Sequence, residues 1–427
     1  MNLRIAVYAD WDGLPDPMRL GFVHAIPAAG RELFSFEFDP HALTHPAFAN
    51  VHLDPLIGWF EGRQYPLPGH PTFGVLADAS PDRWGRMLMR RRHQRLTTAA
   101  TGSPPGPLRE SDCLLGVHDL FRSGALRFRR DDAGEFLDSG TVLAAPPFVR
   151  LRQLEAACAA IESDEDSDKA GDTLEDDWLR MLIAPGGSLG GARPKASVKD
   201  AEGWLWIVKF PSVRDTHDVG AWEQVVHALA RTCDIRVSSS WIRRFASKQH
   251  TFGIKRFDRA ASGRRLHFAS AMTLTGHQDG EDASCGASYL DLVEVLIRHG
   301  SHPTEDLREL WLRIVFNMCV SNADDHLRNH GFLLIPGKGW RLSPAYDMNP
   351  DPGATALTLL VSRSDNTLDL ELARFVAPHF RITHRDAGTL IDQIRDRVKQ
   401  WRTIAGALCI SAKEQERMAS AFRLAMS

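Results

Sequence analysis

The chain has 427 residues, 43% hydrophobic and 25% charged, with a formal net charge of −3. That length supports two or three domains and a sizeable core. The near-neutral balance excludes a bulk electrostatic pull toward nucleic acid or a membrane surface, and no apolar run is long enough to span a bilayer. Six cysteines, at positions 113, 158, 233, 285, 319 and 409, show no CxxC pairing. Several lie in apolar helical runs, as Cys158 does in EAACAA. Reduced, buried thiols in a cytoplasmic protein are therefore expected, not a disulfide frame or a zinc site.

The N-terminus, MNLRIAVYADWDG, reads as a strand and a turn with no signal-peptide profile. LRIAVYAD and ELFSFEFD have the β-branched and aromatic content of half-buried strands. SPDRWGRMLMRRRHQR then predicts a helix with Ser80 as N-cap, Pro81 at the first position and Asp82 in the first turn. Its arginines read first as a solvated basic face and second as a phosphate site. TTAATGSPPGPL predicts a loop, RESDCLLGVHDLF a new helical segment, and residues 162–177, ESDEDSDKAGDTLEDD, a mobile acidic surface segment.

From 181 the character changes. APGGSLGGARPKASV is Gly-rich, GWLWIVKFP predicts a strand and DVGAWEQVVHALARTC a helix. SSWIRRFASKQHTFGIKRFDR offers two further strands, and from about 285 the pattern is mostly helical. LWLRIVFNMCV predicts a buried helix, and FLLIPGKGWRL two short strands around a Gly turn.

Three stretches carry chemistry. Glycines in GGSLGGARPK let backbone N–H groups approach an anion, although Ala192 and Arg193 stand where a Walker A motif needs Lys and Ser/Thr. An ordinary loop explains the glycines equally well. Lys209 interrupts an apolar strand and needs an anionic partner or a route to water. In kinase-like sites such a lysine meets the α- and β-phosphates and is held by a helix glutamate, here Glu223. A snorkelling edge lysine is the bland alternative. SNADDHLRNHGF places Asp324 and Asn329 five residues apart, the separation of a catalytic base and a Mg²⁺-binding amide in H-R-D-x-x-x-x-N. His326 and Arg328 lie between them, placed to neutralise transferring phosphate, and Asp347, 18 residues beyond Asn329, supplies a second metal ligand at the end of a strand. Each feature alone reads as a polar loop; the ordered set is hard to reach by chance.

GGSLGGARPKASV, WIVKFPS, KRFDR, NADDHLRNHGF and LSPAYDMNP, in that order and with ADASPDRWGR upstream, resemble the HipA family of serine/threonine kinases, toxins of bacterial type II toxin–antitoxin systems. The resemblance runs over most of the chain. It implies an α+β, two-lobed protein-kinase-like fold: a β-rich subdomain over residues 1–100, an N-lobe with the Gly-rich loop over 101–260 and a helical C-lobe over 261–427. It implies ATP and Mg²⁺ as cofactors, Asp324 as catalytic residue, Asn329 and Asp347 as metal ligands and Lys209 as phosphate contact. Backbone groups of Lys255 and Phe257 would meet adenine, Asp258 would approach the ribose, and Ser188 would be autophosphorylated in a loop that then leaves the ATP site. The implied partners are a helix-turn-helix antitoxin of the HipB type, operator DNA reached mainly through it, and a protein substrate such as an aminoacyl-tRNA synthetase, with no membrane. Asp325 departs from the alanine that many members carry, and Arg328 from their lysine. Two rival readings are a catalytically silent co-repressor and a small-molecule phosphotransferase.

Overall fold

Strands β1 (Leu3–Ala9), β2 (Met18–Ala28) and β3 (Arg31–Phe38) form an antiparallel meander in which Leu3 faces Ala25 and Val23 faces Phe36. Gly21 is required there: a Cβ on it would meet the carbonyl oxygen of Glu37 at 2.1 Å. Strand β4 (Leu126–Arg129) closes the other edge, pairing Val7 with Phe128, so the sheet order is β3-β2-β1-β4. The N-terminal sheet therefore draws in residues beyond the expected boundary at 100. The computed structural model describes residues 2–28, 31–49, 51–103, 106–130, 134–139, 148–163, 182, 191 and 193–427. These form two compact units rather than three: Met1–Arg214 with Phe245–Ser247 and Lys255–Ala269, and Asp215–Arg244 with Lys248–Ile254 and Ser270–Ser427.

In the first unit, the basic helix spans Arg83–Thr101 and is capped by Asp82, whose carboxylate accepts from the Gly85 N–H at 2.8 Å. Ser80, the expected cap, donates its hydroxyl to the Leu76 carbonyl instead. The helix also runs through TTAAT, since the first residue that breaks it is Gly102, in the left-handed region at φ 66°. Two of its arginines are spent on structure: Arg86 on Glu110 at 2.7 Å, Arg91 on the Ile161 carbonyl at 2.6 Å. Strands β5 (Lys195–Lys199) and β6 (Leu205–Lys209) make a hairpin that sets Lys195 opposite Lys209. Asp82 reaches the ammonium of Lys195 at 2.9 Å, both side chains being buried. The acidic run from residue 164 and the Gly-rich loop up to residue 190, Ser188 included, lie outside the described residues.

The second unit carries the hairpin of β7 (Ser240–Arg243) and β8 (Thr251–Lys255) and most of the helices. A short strand β9 (Phe268–Ser270) follows that hairpin in the chain. The helix Pro303–Val320 is buried from Glu309 to Val320, which is why LWLRIVFNMCV is apolar apart from Arg313 and Asn317, both paired inside. Burying one such Leu, Ile or Phe side chain stabilises by about 1.5–3 kcal/mol. Trp401 stacks on Phe422 at 4.4 Å and Trp222 tilts against Trp401 at 5.9 Å, locking the C-terminal helices onto the helix Val219–Thr232. After the buried helix come β10 (Gly331–Ile335) and β11 (Gly339–Leu342), the expected antiparallel pair, with Leu333 opposite Arg341. Four cysteines are buried and free, while Cys285 and Cys409 are exposed, against the expectation of burial. No helix among the described residues is long and apolar enough to cross a membrane.

Candidate functional site

The buried helix Pro303–Val320 ends at Ser321, which takes a left-handed φ of 51° and turns the chain sharply into the polar loop. Asp324 sits exposed at the loop's outer edge, and its carbonyl accepts from the His326 N–H at 3.1 Å. A single 3-10 turn, Leu327–Asn329, brings Asn329 back beneath Asp324. The side-chain amide of Asn329 donates to the Asp324 carbonyl at 2.9 Å, which ties the ends of the five-residue spacing together. That bond uses the amide nitrogen and leaves Oδ1 of Asn329 buried with no hydrogen-bond partner. A buried carbonyl oxygen left this way costs free energy unless something binds it. It is the hard oxygen donor that Mg²⁺ takes, so the residue fits the expected metal role.

Asp347 lies past the end of β11 rather than at a strand end, in a segment held by a parallel bridge of Ala345 to Val237. It adopts φ 56°, a left-handed conformation that Asp tolerates better than most side chains. Its segment docks on the polar loop. The Tyr346 hydroxyl donates to the Arg328 carbonyl at 2.7 Å, and the Asp351 N–H donates to the Ser321 carbonyl at 3.0 Å. Arg328 is half-buried, 3.6 Å from Asp279, and His326 is half-buried at the start of the 3-10 turn. Among the described residues no three His, Cys, Asp or Glu side chains form a metal cluster. Mg²⁺ does not need one, since it is held by one or two protein ligands plus phosphate oxygens.

Asp325, read from the sequence only as a departure, is the buried anchor of this loop. One of its oxygens accepts from the Tyr289 hydroxyl at 2.5 Å, from Asn317 Nδ2 at 2.7 Å and from His330 Nε2 at 2.8 Å. Burial alone would raise its pKa. The neighbouring His330 and these hydrogen bonds outweigh burial and hold it below the usual carboxylate range. The sequence signal that points to this network is Asn317, a lone amide in the apolar run IVFNMCV at the end of the helix.

The first unit places the other candidates. Lys209 is buried at the end of β6, and Lys255 ends β8 with its ammonium 3.2 Å from the centre of the Trp204 ring. Phe257 packs against Phe268 at 5.9 Å. Glu223, in the second unit, is buried on the helix Val219–Thr232. Asp258, expected to approach the ribose, is enclosed by protein donors. Its carboxylate is buried and accepts from Arg256 at 2.6 and 2.9 Å, from Arg259 at 2.8 Å and from the Gly124 N–H at 2.9 Å. Burial pushes its pKa up, but the two guanidiniums drive it far below the carboxylate range. Four donors on two oxygens leave it a structural acid.

Residues 187–402 match the family described as HipA-like C-terminal domain. A Haemophilus influenzae protein named "Putative kinase" is 29% identical over 121 residues, covering 26% of this chain and 35% of that protein. The match thus spans about a third of that relative's length. The Shewanella oneidensis HipA structure, solved with HipB and operator DNA, overlays at a TM-score of 0.62 with 14% identity, covering 99% of this chain and 96% of that one. The Helicobacter pylori proinflammatory kinase CtkA overlays at only 0.36, with 13% identity. The overlay on the Shewanella protein gives the mixed α+β, kinase-like fold, and with half of its length matched by the family's domain, the chain belongs to the HipA family.

Proposed function

We propose that the chain is an ATP- and Mg²⁺-dependent kinase that phosphorylates a serine or threonine of a protein target, as the toxin of a toxin–antitoxin pair. The observation that carries this reading is Asn329. Its amide nitrogen ties it to Asp324, and its oxygen is buried with no hydrogen-bond partner. A purely structural asparagine in a packed loop would spend both ends.

In this reading Asn329 and Asp347 would hold the metal, which would supply positive charge against the phosphates. Asp324 orients the acceptor hydroxyl and takes its proton as the oxygen attacks the γ-phosphorus. The bond to the β–γ bridging oxygen breaks and ADP leaves. His326 and Arg328 offset charge on the transferring group. Lys209, held by Glu223, contacts the remaining phosphates, and backbone groups of Lys255 and Phe257 receive adenine. Ser188 is the residue for autophosphorylation. Because transfer is mainly positioning plus electrostatics, a loop fixed between a buried helix and a strand is the scaffold it needs. The Shewanella relative's complex supports a HipB-like antitoxin as partner, with operator DNA met through it. An aminoacyl-tRNA synthetase is the proposed class of target.

The test is purified protein with Mg²⁺-ATP, followed by turnover and by mass spectrometry of Ser188. Wild type should turn over ATP and acquire phosphate, and Asp347→Ala should lose affinity for Mg²⁺-ATP in calorimetry while retaining its fold. A wild-type protein that binds antitoxin but never transfers phosphate would establish the silent co-repressor instead.

A further inference from the structure

A row of buried side chains runs beneath the catalytic loop and ends at the metal-binding segment. Asn317 Nδ2 donates to Asp325 at 2.7 Å, and Asn322 Nδ2 donates to Asn317 Oδ1 at 3.1 Å. The backbone N–H of Asn349 donates to Asn322 Oδ1 at 3.1 Å, and Asn349 Nδ2 lies 3.3 Å from Asp347 Oδ1. Asn317, Asn322 and Asp325 are each 3% exposed or less, so water cannot replace these bonds.

The direction of the row is fixed at both ends. An ionised carboxylate only accepts, so Asn317 must turn its nitrogen toward Asp325 and its oxygen toward Asn322. Asn322 must then donate to Asn317, which leaves its own oxygen facing the next group. That group is a backbone N–H, which only donates. Flipping any one amide sets two acceptors or two donors against each other in a buried place. Asp325 is neighbour to Asp324, and Asn349 touches Asp347, so the row joins the base-bearing loop to the metal-bearing segment.

We propose that Asp325, Asn317, Asn322 and Asn349 form a positioning relay that sets Asp347 in register with Asp324 and Asn329 before nucleotide arrives. It rests on the kinase reading of those three residues. None of the four relay members takes part in the chemistry; each acts through its neighbour. Outer-shell groups of this kind are worth about 10- to 100-fold in metal affinity or activity.

The decisive variant is Asn322→Ala, which cuts the row in the middle and removes no catalytic or metal-binding group. Two readouts apply: Mn²⁺ titrated by electron paramagnetic resonance into the protein with a non-hydrolysable ATP analogue, and hydrogen exchange at the Asn349 backbone amide. The expected result is Mn²⁺ affinity lower by about 10-fold or more and faster exchange at Asn349. Asn317→Ala should speed exchange at Asn349 as well, 32 residues away in the chain. Tyr289→Phe, which removes one of three donors to Asp325 and leaves the row whole, should keep wild-type exchange. Val315→Ala, a cavity in the same buried helix, controls for general loosening. Unchanged exchange at Asn349 in Asn322→Ala, or the same pattern from Val315→Ala, overturns the relay. A wild-type protein that binds neither Mn²⁺ nor the analogue overturns the kinase reading, while the exchange data still decide the relay.

Discussion

Two clusters, one in each compact unit, bury polar groups in opposite ways. In the first, Asp258 is saturated by Arg256, Arg259 and Gly124, and the fully buried Arg122 gives its terminal nitrogens to the carbonyls of Ala79, Leu114, Val117 and Leu137. Full charges are enclosed and answered on the spot. In the second, neutral amides are laid end to end, and the row stops at Asn349, whose side-chain oxygen is buried without a partner, as is that of Asn329. Burying a full charge costs far more than burying an amide, so a charge needs complete pairing to be tolerated at all. A neutral amide can be left half-satisfied at modest cost and kept ready for a ligand. On the proposed kinase reading, the contrast separates a cluster that holds a fold from one that prepares a site.

The sharpest way to break the contrast is to remove the carboxylate of Asp324, the proposed base, and see whether the fold notices. Asp324→Ala should lower phosphoryl transfer by about 10²- to 10⁴-fold, the usual contribution of a general base. Its exposed side chain carries little of the structure, so thermal stability and nucleotide binding should stay near wild type. Wild-type transfer rates in the purified variant would sink the assignment.

Asp258→Ala should do the reverse. It strands two buried guanidiniums, and breaking a buried pair this way costs about 3–5 kcal/mol. Urea denaturation should show that loss, while the protein that remains folded should bind ATP as before. Lost ATP affinity at unchanged stability would return Asp258 to the ribose.

How far the sequence could be read follows the same division. The polar loop was legible as a unit because its residues are consecutive; Asp324, Asn329 and Asp347 fall in one compact unit, with Asn329 bonded to Asp324. The buried helix and the β10–β11 pair were legible from apolar pattern and a Gly turn. The enclosure of Asp258 was not legible: Arg256 and Arg259 are its neighbours in KRFDR, but the Gly124 N–H that completes its shell comes from a distant segment, and no local pattern announces it. The boundary at 100 failed for the same reason: β4 joins the first sheet by a pairing of distant segments. Ser80 lost the cap to Asp82 because two candidate caps two residues apart are indistinguishable until the helix axis is fixed.

A third test uses pH on the first unit. The His267 ring is fully buried, stacked on Trp11 at 5.4 Å, and burial pushes its pKa down from 6.5 to about 3. The unfolded chain binds this proton near pH 6.5 and the folded chain does not, so stability falls as pH drops from about 6.5 toward 3. By pH 4 the loss should be on the order of a few kcal/mol. Urea melts of His267→Phe at pH 7, 5 and 4 should show a flatter acid limb than wild type. An identical limb would mean that other groups govern acid unfolding.

The smallest effect is expected in the second unit, at His277. This half-buried ring lies 3.2 Å from Asp291 and 2.6 Å from Glu281, clamping the segment before the helix Tyr289–His299. The hydrogen bond to Asp291, helped by Glu281 and opposed by partial burial, raises its pKa above 6.5. The folded state holds the proton more tightly than the unfolded chain. The stabilisation is therefore fully present below about pH 6.5 and is lost as pH rises through the raised value. Because the pair is partly solvated, its worth is about 1 kcal/mol or less. The observable is thus local: hydrogen exchange over residues 277–286 should quicken between pH 6 and pH 9 beyond the intrinsic base-catalysed rise. His277→Gln should remove that excess without altering exchange at Asn349, because the clamp shares no hydrogen bond with the amide row. Exchange at Asn349 that follows the titration of His277 would show that clamp and row are one network and would erase the boundary drawn between them.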